Sequence, residues 1–424
     1  MIRDLLLFIL KILAQATLWR YNPVIVGVTG SVGKTSSKEA IFAVLKNKFN
    51  VRRNQKNYNN EIGVPLTILG QETGGRSFLH WLKVFLAGFF GIFYTRKYPE
   101  VLVLEMGADR IGDIAYLVSF VHCRVGVITA IGEIPVHVEF FQGAGQVAQE
   151  KSTLIKSLDK DGWAVLNFDD ERVKAMIVKT KAKIFGYGFS EEADLRVFNL
   201  EQHLENLEEA FISFKVDYRG SNVPIRLKKI LGEHQICPIL AAIAVGLTFK
   251  MNLVEISKAL QDYRLPPGRL RLFGAIKNSW VIDDTYNSSP SSALAALEVL
   301  FKTKGRKIAA LGDMLELGAF TEEAHRQVGA KAAKCVDLLL IVGERSIFVA
   351  DQAEKEGMAE DKILHFASSE EAARILQDLM REGDVVLVKG SQSMRMEKIV
   401  KEIMAEPERA KELLVRQDKE WLEG

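Results

Sequence analysis

A glycine-rich segment near the start of the chain carries the residues needed to hold phosphate groups. It reads Gly27-Val-Thr-Gly-Ser-Val-Gly-Lys-Thr35, with the apolar run Val24–Val28 leading into it and a helical pattern, Ser36–Leu45, following it. A tight turn between a buried strand and a helix N-terminus directs backbone N–H groups at phosphates, while Lys34 adds positive charge and the Thr35 hydroxyl can hold Mg²⁺. The segment predicts a binding site for ATP or GTP.

The glycine spacing in this phosphate loop narrows the prediction. Val28 stands where the generic phosphate-loop pattern has its first glycine, and the spacing T-G-[ST]-x-G-K-[ST] is instead typical of one ATPase lineage. The loop residues expected to contact the nucleotide are Thr29, Gly30, Ser31, Gly33, Lys34, Thr35 and Ser36.

Two further segments have polar residues where a pocket is expected. The segment Asn57–Thr67 begins with amides and then turns apolar, which indicates a loop entering a helix. Its Asn57, Asn59 and Asn60 can line a phosphate or acceptor pocket, or simply form a turn. Glu105 ends the buried strand Val101–Met106, and ligands bind at the carboxyl ends of strands in α/β sheets, so a Mg²⁺-binding carboxylate is expected there.

His137 and Lys151 are weaker candidates when each is taken alone. His137 follows the strand Val125–Ala130 in a loop, where it is either a metal ligand or a surface residue. Lys151 lies on the helical pattern Gln146–Ser157 and is by default a solvated lysine.

The composition excludes several classes of protein. The chain has 424 residues, of which 48% are hydrophobic, and a formal net charge of +2 with interspersed charges, which argues against a nucleic-acid partner. The three cysteines are far apart and form no zinc or disulfide pattern. Free cysteines of this kind favour a reducing, cytoplasmic location.

The order of strands and helices predicts an α/β protein. Short apolar runs alternate with helical periodicity, as in a doubly wound, mostly parallel sheet, and a second series of strands after the Pro-Pro-Gly linker indicates a Rossmann-like C-terminal domain. The predicted division is an apolar or amphipathic N-terminal helix over residues 1–22, a central ATP-binding domain over 23–268 with an apolar insertion at about 77–95, and a C-terminal domain over 269–424 that ends in a charged helix.

Two apolar stretches are compatible with more than one environment. Leu5–Trp19 and Phe78–Tyr94 are each interrupted by charged or polar residues and fall short of the roughly 20 apolar residues that span a membrane. They are either helices packed on the protein's own core or on a second copy, or interfacial helices on the inner face of the membrane.

Considered together in order, the motifs resemble the Mur ligase family, and most closely its D-alanyl-D-alanine-adding branch. The resemblance runs from about Val24 to Val400. The matching strings are the phosphate loop, Asn57-Tyr-Asn-Asn-Glu-Ile-Gly-Val-Pro65, Glu105-Met-Gly-Ala108, His137, Glu150-Lys-Ser152, Gly232-Glu-His234, Pro267-Gly-Arg269, Asp283-Asp-Thr-Tyr-Asn-Ser-Ser-Pro-Ser-Ser292, Leu311-Gly-Asp-Met-Leu-Glu-Leu-Gly318 and Val388-Lys-Gly-Ser391.

The resemblance implies an ATP-dependent, ADP-forming amide ligase of cell-wall precursor synthesis. A carboxylate acceptor is activated as an acyl phosphate and joined to an amine, D-Ala-D-Ala or an amino acid. The implied catalytic residues are Lys34, Glu105, His137, Lys151 and Arg269. Two Mg²⁺ ions are implied, held by Thr35, Glu105, His137 and a carbamylated Lys151; the nucleotide is also contacted by His234, Arg269, Asp284, Tyr286 and Asn287, and the acceptor or amine by Asn57, Asn59, Asn60, Ser292, Lys389 and Ser391.

The chain also departs from the family pattern. Only 26 residues precede Gly27, so the N-terminal domain that binds the UDP-sugar end of the acceptor is expected to be absent. Gln235 and Pro238 replace asparagines of the family's nucleotide motif, and Gln392 stands where an arginine is common.

These departures leave three functions open. The first is a ligase with a small-molecule or, if the apolar helices contact the membrane, a lipid-linked acceptor. The second is a ligase for another acceptor, as in cyanophycin or pseudomurein synthesis, and the third is a non-catalytic ATP-binding scaffold. The sequence does not determine the oligomeric state.

Overall fold

The computed structural model describes residues 2–55, 58–75, 77–133, 138–141, 143–418 and 421. Its strands are β1 (Val24–Thr29), β2 (Val51–Arg53), β3 (Val101–Glu105), β4 (Val125–Ile128), β5 (Trp163–Asn167), β6 (Lys183–Gly188), β7 (Leu195–His203), β8 (Phe211–Tyr218), β9 (Ser221–Lys228), β10 (Arg271–Ala275), β11 (Ser279–Asp284), β12 (Lys307–Gly312), β13 (Leu338–Val342), β14 (Ile363–Phe366) and β15 (Val385–Lys389). Its α-helices are α1 (Ile2–Tyr21), α2 (Lys34–Leu45), α3 (Gly63–Leu69), α4 (Phe78–Tyr94), α5 (Asp113–Val118), α6 (Ala144–Lys156), α7 (Glu171–Lys174), α8 (Ile236–Thr248), α9 (Leu253–Leu260), α10 (Pro290–Phe301), α11 (Thr321–Cys335), α12 (Ile347–Lys355), α13 (Ser369–Leu379), α14 (Glu397–Ile403) and α15 (Ala410–Leu413).

The first sheet has nine strands in the order β2-β3-β1-β4-β5-β6-β7-β8-β9. From β2 to β7 in this order, which includes β1, neighbouring strands pair in parallel. The strands β8 and β9 extend the sheet in antiparallel pairs. The central strands are apolar on both faces because helices cover both sides, as a doubly wound sheet requires. The predicted α/β class with a mostly parallel central sheet is confirmed.

The second sheet has six strands in the order β10-β11-β15-β12-β13-β14. All pairs are parallel except β10 with β11, which is the antiparallel edge. The Rossmann-like second unit is therefore also confirmed. The first sheet ends at Lys228 and the second begins at Arg271; the predicted domain boundary after residue 268 lies between them and stays a prediction.

One continuous apolar cluster connects the two sheets. It runs from β1 and α2 through the buried helix α8 to Leu265 and Leu270 in the linker, and on to β11 and α10. Because the linker side chains are part of this core, the carboxyl edges of the two sheets are held close together around the cavity described below.

The two apolar stretches form helices that pack on the protein along one face only. Leu10, Leu13 and Ala14 of α1, with Val84 and Ile92 of α4, are buried against α3 and against each other. The prediction that these helices pack on the protein's own core is correct for this face. No helix among the described residues is long and apolar enough to cross a membrane.

The C-terminal tail departs from the predicted charged helix. Among residues 406–418, α15 is the only α-helix and is four residues long, and Arg416 has a positive φ of 56°. The Arg416 guanidinium is buried, pairs with Glu397 at 2.9 Å and donates to the Tyr286 carbonyl at 3.1 Å. The prediction of a tail helix is wrong. The buried Leu414 and the ion pair of Arg416 instead hold this segment against the helices of the second sheet.

Candidate active site

The phosphate loop joins β1 to α2 with the geometry that an anion-binding turn requires. Gly33 sits at the start of α2 in the left-handed conformation (φ 86°), and a Cβ on Gly30 would come within 1.9 Å of the Thr129 hydroxyl oxygen. Both positions therefore need glycine. No side chain caps α2, so its first backbone N–H groups are available to an anion.

Two side chains of the loop indicate the same kind of ligand. The Lys34 ammonium donates to the carbonyls of Gly30 (2.9 Å) and Ser31 (3.2 Å), and burial lowers its pKa. The Ser31 hydroxyl is buried and has no hydrogen-bond partner among the described residues. A cation held at the loop and an unpartnered donor beside it suit a bound phosphate.

Glu105 lies at the carboxyl end of β3, directly beside the phosphate loop. Its Oε1 accepts hydrogen bonds from Thr35 Oγ1 (3.3 Å) and Asn59 Nδ2 (3.1 Å), and its Oε2 is 3.5 Å from the Lys38 ammonium. Burial opposes ionisation of this carboxyl, but Lys38, Lys34 and the Asn59 hydrogen bond outweigh it, so the pKa of Glu105 is lowered. The site therefore holds a buried carboxylate in its charged form.

The loop between β2 and α3 fixes the position of Glu105. Asn54 accepts from the Glu105 backbone N–H at 2.6 Å and donates to the Glu105 carbonyl at 3.3 Å. Asn60 accepts from the Gly63 backbone N–H at 2.9 Å, which caps the start of α3. The predicted loop that leads into a helix is present. Asn57 lies outside the described residues.

Lys151 is buried on α6, close to the phosphate loop. Burial, and then the nearby Lys34 cation, lower the pKa of Lys151 to about 7. Its neighbour Glu150 is also buried and accepts from the backbone N–H groups of Gly112 (3.0 Å) and Ile114 (2.8 Å). The default interpretation of Lys151 as a solvated lysine is wrong, because the side chain is only 3% exposed. His137 lies outside the described residues.

The opposite wall of the site comes from the linker and the second sheet. Arg269 stacks its guanidinium 4.0 Å from the centre of the Tyr286 ring, and its buried Nε has no hydrogen-bond partner among the described residues. The Ser292 hydroxyl caps α10 by accepting from the Ser289 backbone N–H at 3.0 Å. The Ser391 hydroxyl accepts from the Leu315 backbone N–H at 2.9 Å. A rigid polar wall therefore faces the phosphate loop.

Three other predicted residues lie beneath this wall. The Lys389 ammonium donates to Asp284 at 2.6 Å and to the Asn287 carbonyl at 2.9 Å, and both charged side chains are buried. His234 is half-buried nearby, and burial lowers its pKa to about 4. The geometry suits these residues for supporting the Asn287 loop; their direct contact with substrates stays a prediction.

Three cavities meet at Asn60. A cavity of about 480 Å³ separates the phosphate loop from the Arg269 wall. A second, of about 1250 Å³, extends from Thr35 past α3 to the start of α4, and a third, of about 650 Å³, extends along the loop 107–113 to α1. Asn60 lines all three. A reaction that joins two molecules while a third is cleaved needs three binding regions that meet at one place.

The central cavity collects many of the residues predicted from sequence. Those that line it are Ser31, Gly33, Lys34, Thr35, Asn59, Asn60, Glu105, Arg269, Tyr286, Asn287, Ser292 and Ser391. Described residues predicted for the site that do not line it are Thr29, Gly30, Ser36, Lys151, His234, Asp284 and Lys389. Thr29 instead donates to the Met106 carbonyl at 2.8 Å, which ties β1 to the end of β3.

The donor set can be tested against Mg²⁺. Two adjacent ligands of an octahedral Mg²⁺ at about 2.1 Å lie about 3 Å apart. The 3.3 Å separation of Thr35 Oγ1 and Glu105 Oε1 fits this spacing. Within the described ranges there is no group of three His, Cys, Asp or Glu that could hold a metal, which is compatible with an ion completed by water and nucleotide phosphates.

Sequence reasoning missed several residues of the site, among them four with polar or aromatic side chains. Lys38 neutralises Glu105, and Asp109, Glu316 and Trp421 line the central cavity. Lys38 could have been found, because it follows Lys34 by one helical turn on α2 and so shares its face. Glu316, at a positive φ of 61°, lies within the motif Leu311–Gly318, which was assigned no site role, whereas Trp421 reaches the site from a distant part of the chain that no local pattern indicated.

Two family models match the chain. The Mur ligase middle domain matches residues 28–79 and 91–246. The Mur ligase, glutamate ligase domain matches residues 268–392.

Curated relatives match over most of their length. The UDP-N-acetylmuramoyl-tripeptide–D-alanyl-D-alanine ligase of Escherichia coli is 30% identical over 384 residues, 89% of this chain and 76% of the relative. The protein of the same name from Bacillus subtilis is 29% identical over 401 residues, 94% of this chain and 79% of the relative.

A solved structure shares the fold. The MurF ligase of Thermotoga maritima in complex with ADP superimposes with a TM-score of 0.78 at 27% identity, over 95% of this chain and 84% of that one. A pseudomurein peptide ligase from Methanothermus fervidus, at 18% identity and a TM-score of 0.64, shares the fold alone.

Proposed function

The chain belongs to the Mur ligase family of ATP-dependent ligases, and we propose that it joins D-alanyl-D-alanine to the carboxylate of a peptide acceptor in cell-wall precursor synthesis. One observation carries the proposal. An ionised Glu105, a phosphate loop and an arginine wall surround one cavity into which two further cavities open. The relatives named above act on UDP-N-acetylmuramoyl-tripeptide and D-alanyl-D-alanine, which supports the same pair here.

The residues of the site account for each requirement of the reaction. The amide groups of α2 and the Lys34 ammonium bind the β- and γ-phosphates, and Arg269 faces them from the other wall. The acceptor carboxylate attacks the γ-phosphorus, ADP leaves, and the amine then displaces phosphate from the acyl phosphate. Since both steps involve charged oxygens, the catalytic contribution of Lys34 and Arg269 is positioning and charge neutralisation.

Mg²⁺ would be held by Thr35 and Glu105. Once bound, it neutralises charge on the phosphate oxygens. Glu105 suits this role because Lys38 and Asn59 keep its carboxylate ionised and oriented despite burial.

We propose a second Mg²⁺ site that includes a carbamylated Lys151. An ammonium repels a cation, whereas the carbamate formed when the neutral amine adds CO₂ and releases a proton is an oxygen ligand. Burial of Lys151 next to Lys34 favours the uncharged amine that reacts with CO₂. Incubation with ¹³C-bicarbonate should give a carbamate carbon resonance that is absent in Lys151→Met. If wild type and this variant give the same spectrum, carbamylation is excluded.

The acceptor and the location are part of the proposal. We place the reaction in the cytoplasm, where ATP is available and where unpaired cysteines such as Cys123, Cys237 and Cys335 persist. Small-molecule acceptors, or acceptors carried on a lipid at the inner face of the membrane, fit cavities that open toward α1 and α4.

The test is ADP release by the purified full-length chain with UDP-N-acetylmuramoyl-tripeptide, screened with D-Ala-D-Ala, free amino acids and no amine. We expect ADP release only when acceptor and D-Ala-D-Ala are both present, with the amide product seen by mass spectrometry. Lys34→Ala should lose the activity, while Arg374→Ala, an exposed change on α13, should keep it. ADP release with another amine alone would point to a ligase of different specificity, and tight ATP binding without turnover for any pair would indicate a scaffold.

A further inference from the structure

Helix α1 has an exposed apolar face that the described chain does not cover. Leu5, Phe8, Ile12 and Trp19 repeat at helical spacing along this face, and Trp19 is 86% exposed. The opposite face, with Leu10 and Ala14, is buried.

Helix α4 shows the same arrangement more strongly. Its buried face consists of Val84, Gly88 and Ile92, and the face turned to solvent is also apolar. The exposed residues are Leu79, Leu82, Leu86, Phe89, Phe90 and Phe93. A helix of a water-soluble surface normally presents charged residues on this side, and a contiguous exposed apolar patch marks an interaction site.

The two helices lie side by side and run in the same direction. Leu6 and Leu10 of α1 pack with Trp81 and Val84 near the start of α4. A Cβ on Gly88 would touch Leu13, and the Tyr21 hydroxyl at the end of α1 donates to the Gly91 carbonyl at 2.8 Å. The exposed faces of α1 and α4 are therefore neighbours, and together we call them the α1/α4 surface.

The charge around this surface is mostly basic, since α1 carries Arg3, Lys11 and Arg20 against one acidic residue, Asp4. Residues 73–99 include no aspartate or glutamate but contain Arg76, Lys83, Arg96 and Lys97. Lys83, Arg96 and Lys97 are exposed, and they form no ion pair within the described part of the chain. Basic side chains at the edge of an apolar helix face suit an anionic surface, since their stems can lie on apolar groups while the charges reach outward.

The α1/α4 surface also coincides with a local departure from the family. The match to the middle-domain model stops at residue 79 and resumes at residue 91, both within α4. Leu82, Leu86, Phe89 and Phe90 of the exposed face lie in this gap and are therefore additions to the family framework.

We propose that the α1/α4 surface docks this protein on an anionic phospholipid bilayer, with both helices lying in the interface. Helix α4 has 17 residues, about 26 Å at 1.5 Å per residue, so it suits lying at the headgroup boundary rather than crossing a core of about 30 Å. A two-fold dimer through the same surface would bring Lys83, Arg96 and Lys97 of two copies together, where residues 73–99 supply no acidic partner. An anionic bilayer covers the exposed apolar side chains and also supplies negative charge for the basic ones.

The location of this surface gives the docking a consequence for the active site. Arg3 and Leu7 of α1 line the 650 Å³ cavity, and Ser77 and His80 at the start of α4 line the 1250 Å³ cavity. If the proposed ligase function holds, docking brings both cavities near the headgroups, where a lipid-linked acceptor is presented.

Co-sedimentation of the full-length protein with vesicles tests the proposal. We expect binding to vesicles of phosphatidylglycerol and phosphatidylcholine, weaker binding to pure phosphatidylcholine, and a decrease as salt is raised. The double variant Phe89→Ser/Phe93→Ser should lower the partition coefficient at least ten-fold. Its matched control, Val178→Ser/Phe301→Ser, removes exposed apolar residues elsewhere and should leave partitioning unchanged.

Two results would overturn the proposal. One is no binding of wild type to anionic vesicles. The other is a dimer in sedimentation velocity that Phe89→Ser/Phe93→Ser dissociates, with no vesicle binding by wild type, because the surface would then be covered by a second copy. ADP release with the water-soluble acceptor should be equal in wild type and Phe89→Ser/Phe93→Ser. Vesicle binding without any ADP release would leave docking intact while refuting the ligase function.

Discussion

At the scale of single residues, Glu105 is the group on which the proposed Mg²⁺ binding depends. It is buried, yet Lys38, Lys34 and the Asn59 hydrogen bond keep it ionised, and Thr35 and Asn59 donate to its Oε1. An uncharged side chain of the same shape would keep the packing but lose the attraction for Mg²⁺.

We therefore expect Glu105→Gln to lower kcat roughly 100-fold or more and to raise the Mg²⁺ concentration needed for half-maximal rate, since one preorganised electrostatic contact is removed. The measurement is a Mg²⁺ titration of ADP release. Glu208→Gln, an exposed change beyond β7, should behave as wild type. An unchanged Mg²⁺ requirement in Glu105→Gln would remove Glu105 from the metal site.

Asp283 offers a pH test on a buried group behind the wall of the site. Burial raises its pKa to about 6, although Thr285 donates to the carboxylate at 2.6 Å. Between the unfolded pKa, about 4, and the folded pKa, the native state binds more protons than the unfolded state. The free energy of unfolding contributed by this group therefore falls as pH rises through this range.

For Asp283→Asn, which does not titrate, the free energy of unfolding relative to wild type should increase by about 2 kcal/mol between pH 4 and pH 7. Urea unfolding at several pH values measures this difference. A difference that is independent of pH would show that Asp283 titrates normally in the native state.

At the scale of secondary-structure elements, α6 connects the site to the loop before α5. Glu150 of α6 accepts from the backbone N–H of Gly112 at the end of that loop and from that of Ile114 in the first turn of α5, while the adjacent Lys151 is buried near the Lys34 cation. One turn of α6 therefore positions both the loop that lines the 650 Å³ cavity and Lys151, the proposed site of carbamylation.

Replacing Glu150 with alanine should lower the free energy of unfolding by about 1–3 kcal/mol, because two buried N–H groups lose their acceptor. Glu150→Gln retains an amide oxygen and should lose less. Urea unfolding of both variants gives the comparison. Equal losses in the two variants would mean that the carboxylate charge, rather than the hydrogen bonds, stabilises the loop.

At the scale of the whole molecule, the central cavity has one wall from each sheet. The phosphate loop belongs to the first sheet, whereas Tyr286 and Ser391 follow strands of the second. A nucleotide bound between them contacts both walls, so it should stabilise the folded arrangement of the complete chain.

Mg²⁺-ADP at about 100 times its Kd should increase the free energy of unfolding by about 2.7 kcal/mol. At the same ligand concentration, Lys34→Ala should lose most of this increase, whereas Arg374→Ala should retain it. Urea unfolding with and without nucleotide measures both. Full stabilisation of Lys34→Ala would place the nucleotide elsewhere.

Sequence by itself determined the α/β class, the phosphate loop and the carboxylate at the end of β3. These features are local. A strand, a glycine turn and a helix start are set by neighbouring residues, and the carboxyl end of a parallel strand lies at the ligand edge in any such sheet. The resemblance to the Mur ligases rested on such local strings, and it is confirmed.

Only the tertiary structure decided which distant residues meet. It placed Lys38 against Glu105, turned Lys151 inward, stacked Arg269 on Tyr286 and converted the expected tail helix into an irregular segment held by Arg416. It also showed that α1 and α4 each bury one face and expose the other, so packing on the protein's own core accounts for one face of each helix. The physical reason is that burial depends on which surfaces pack together, and helical periodicity cannot distinguish an apolar face covered by protein from one left in contact with solvent.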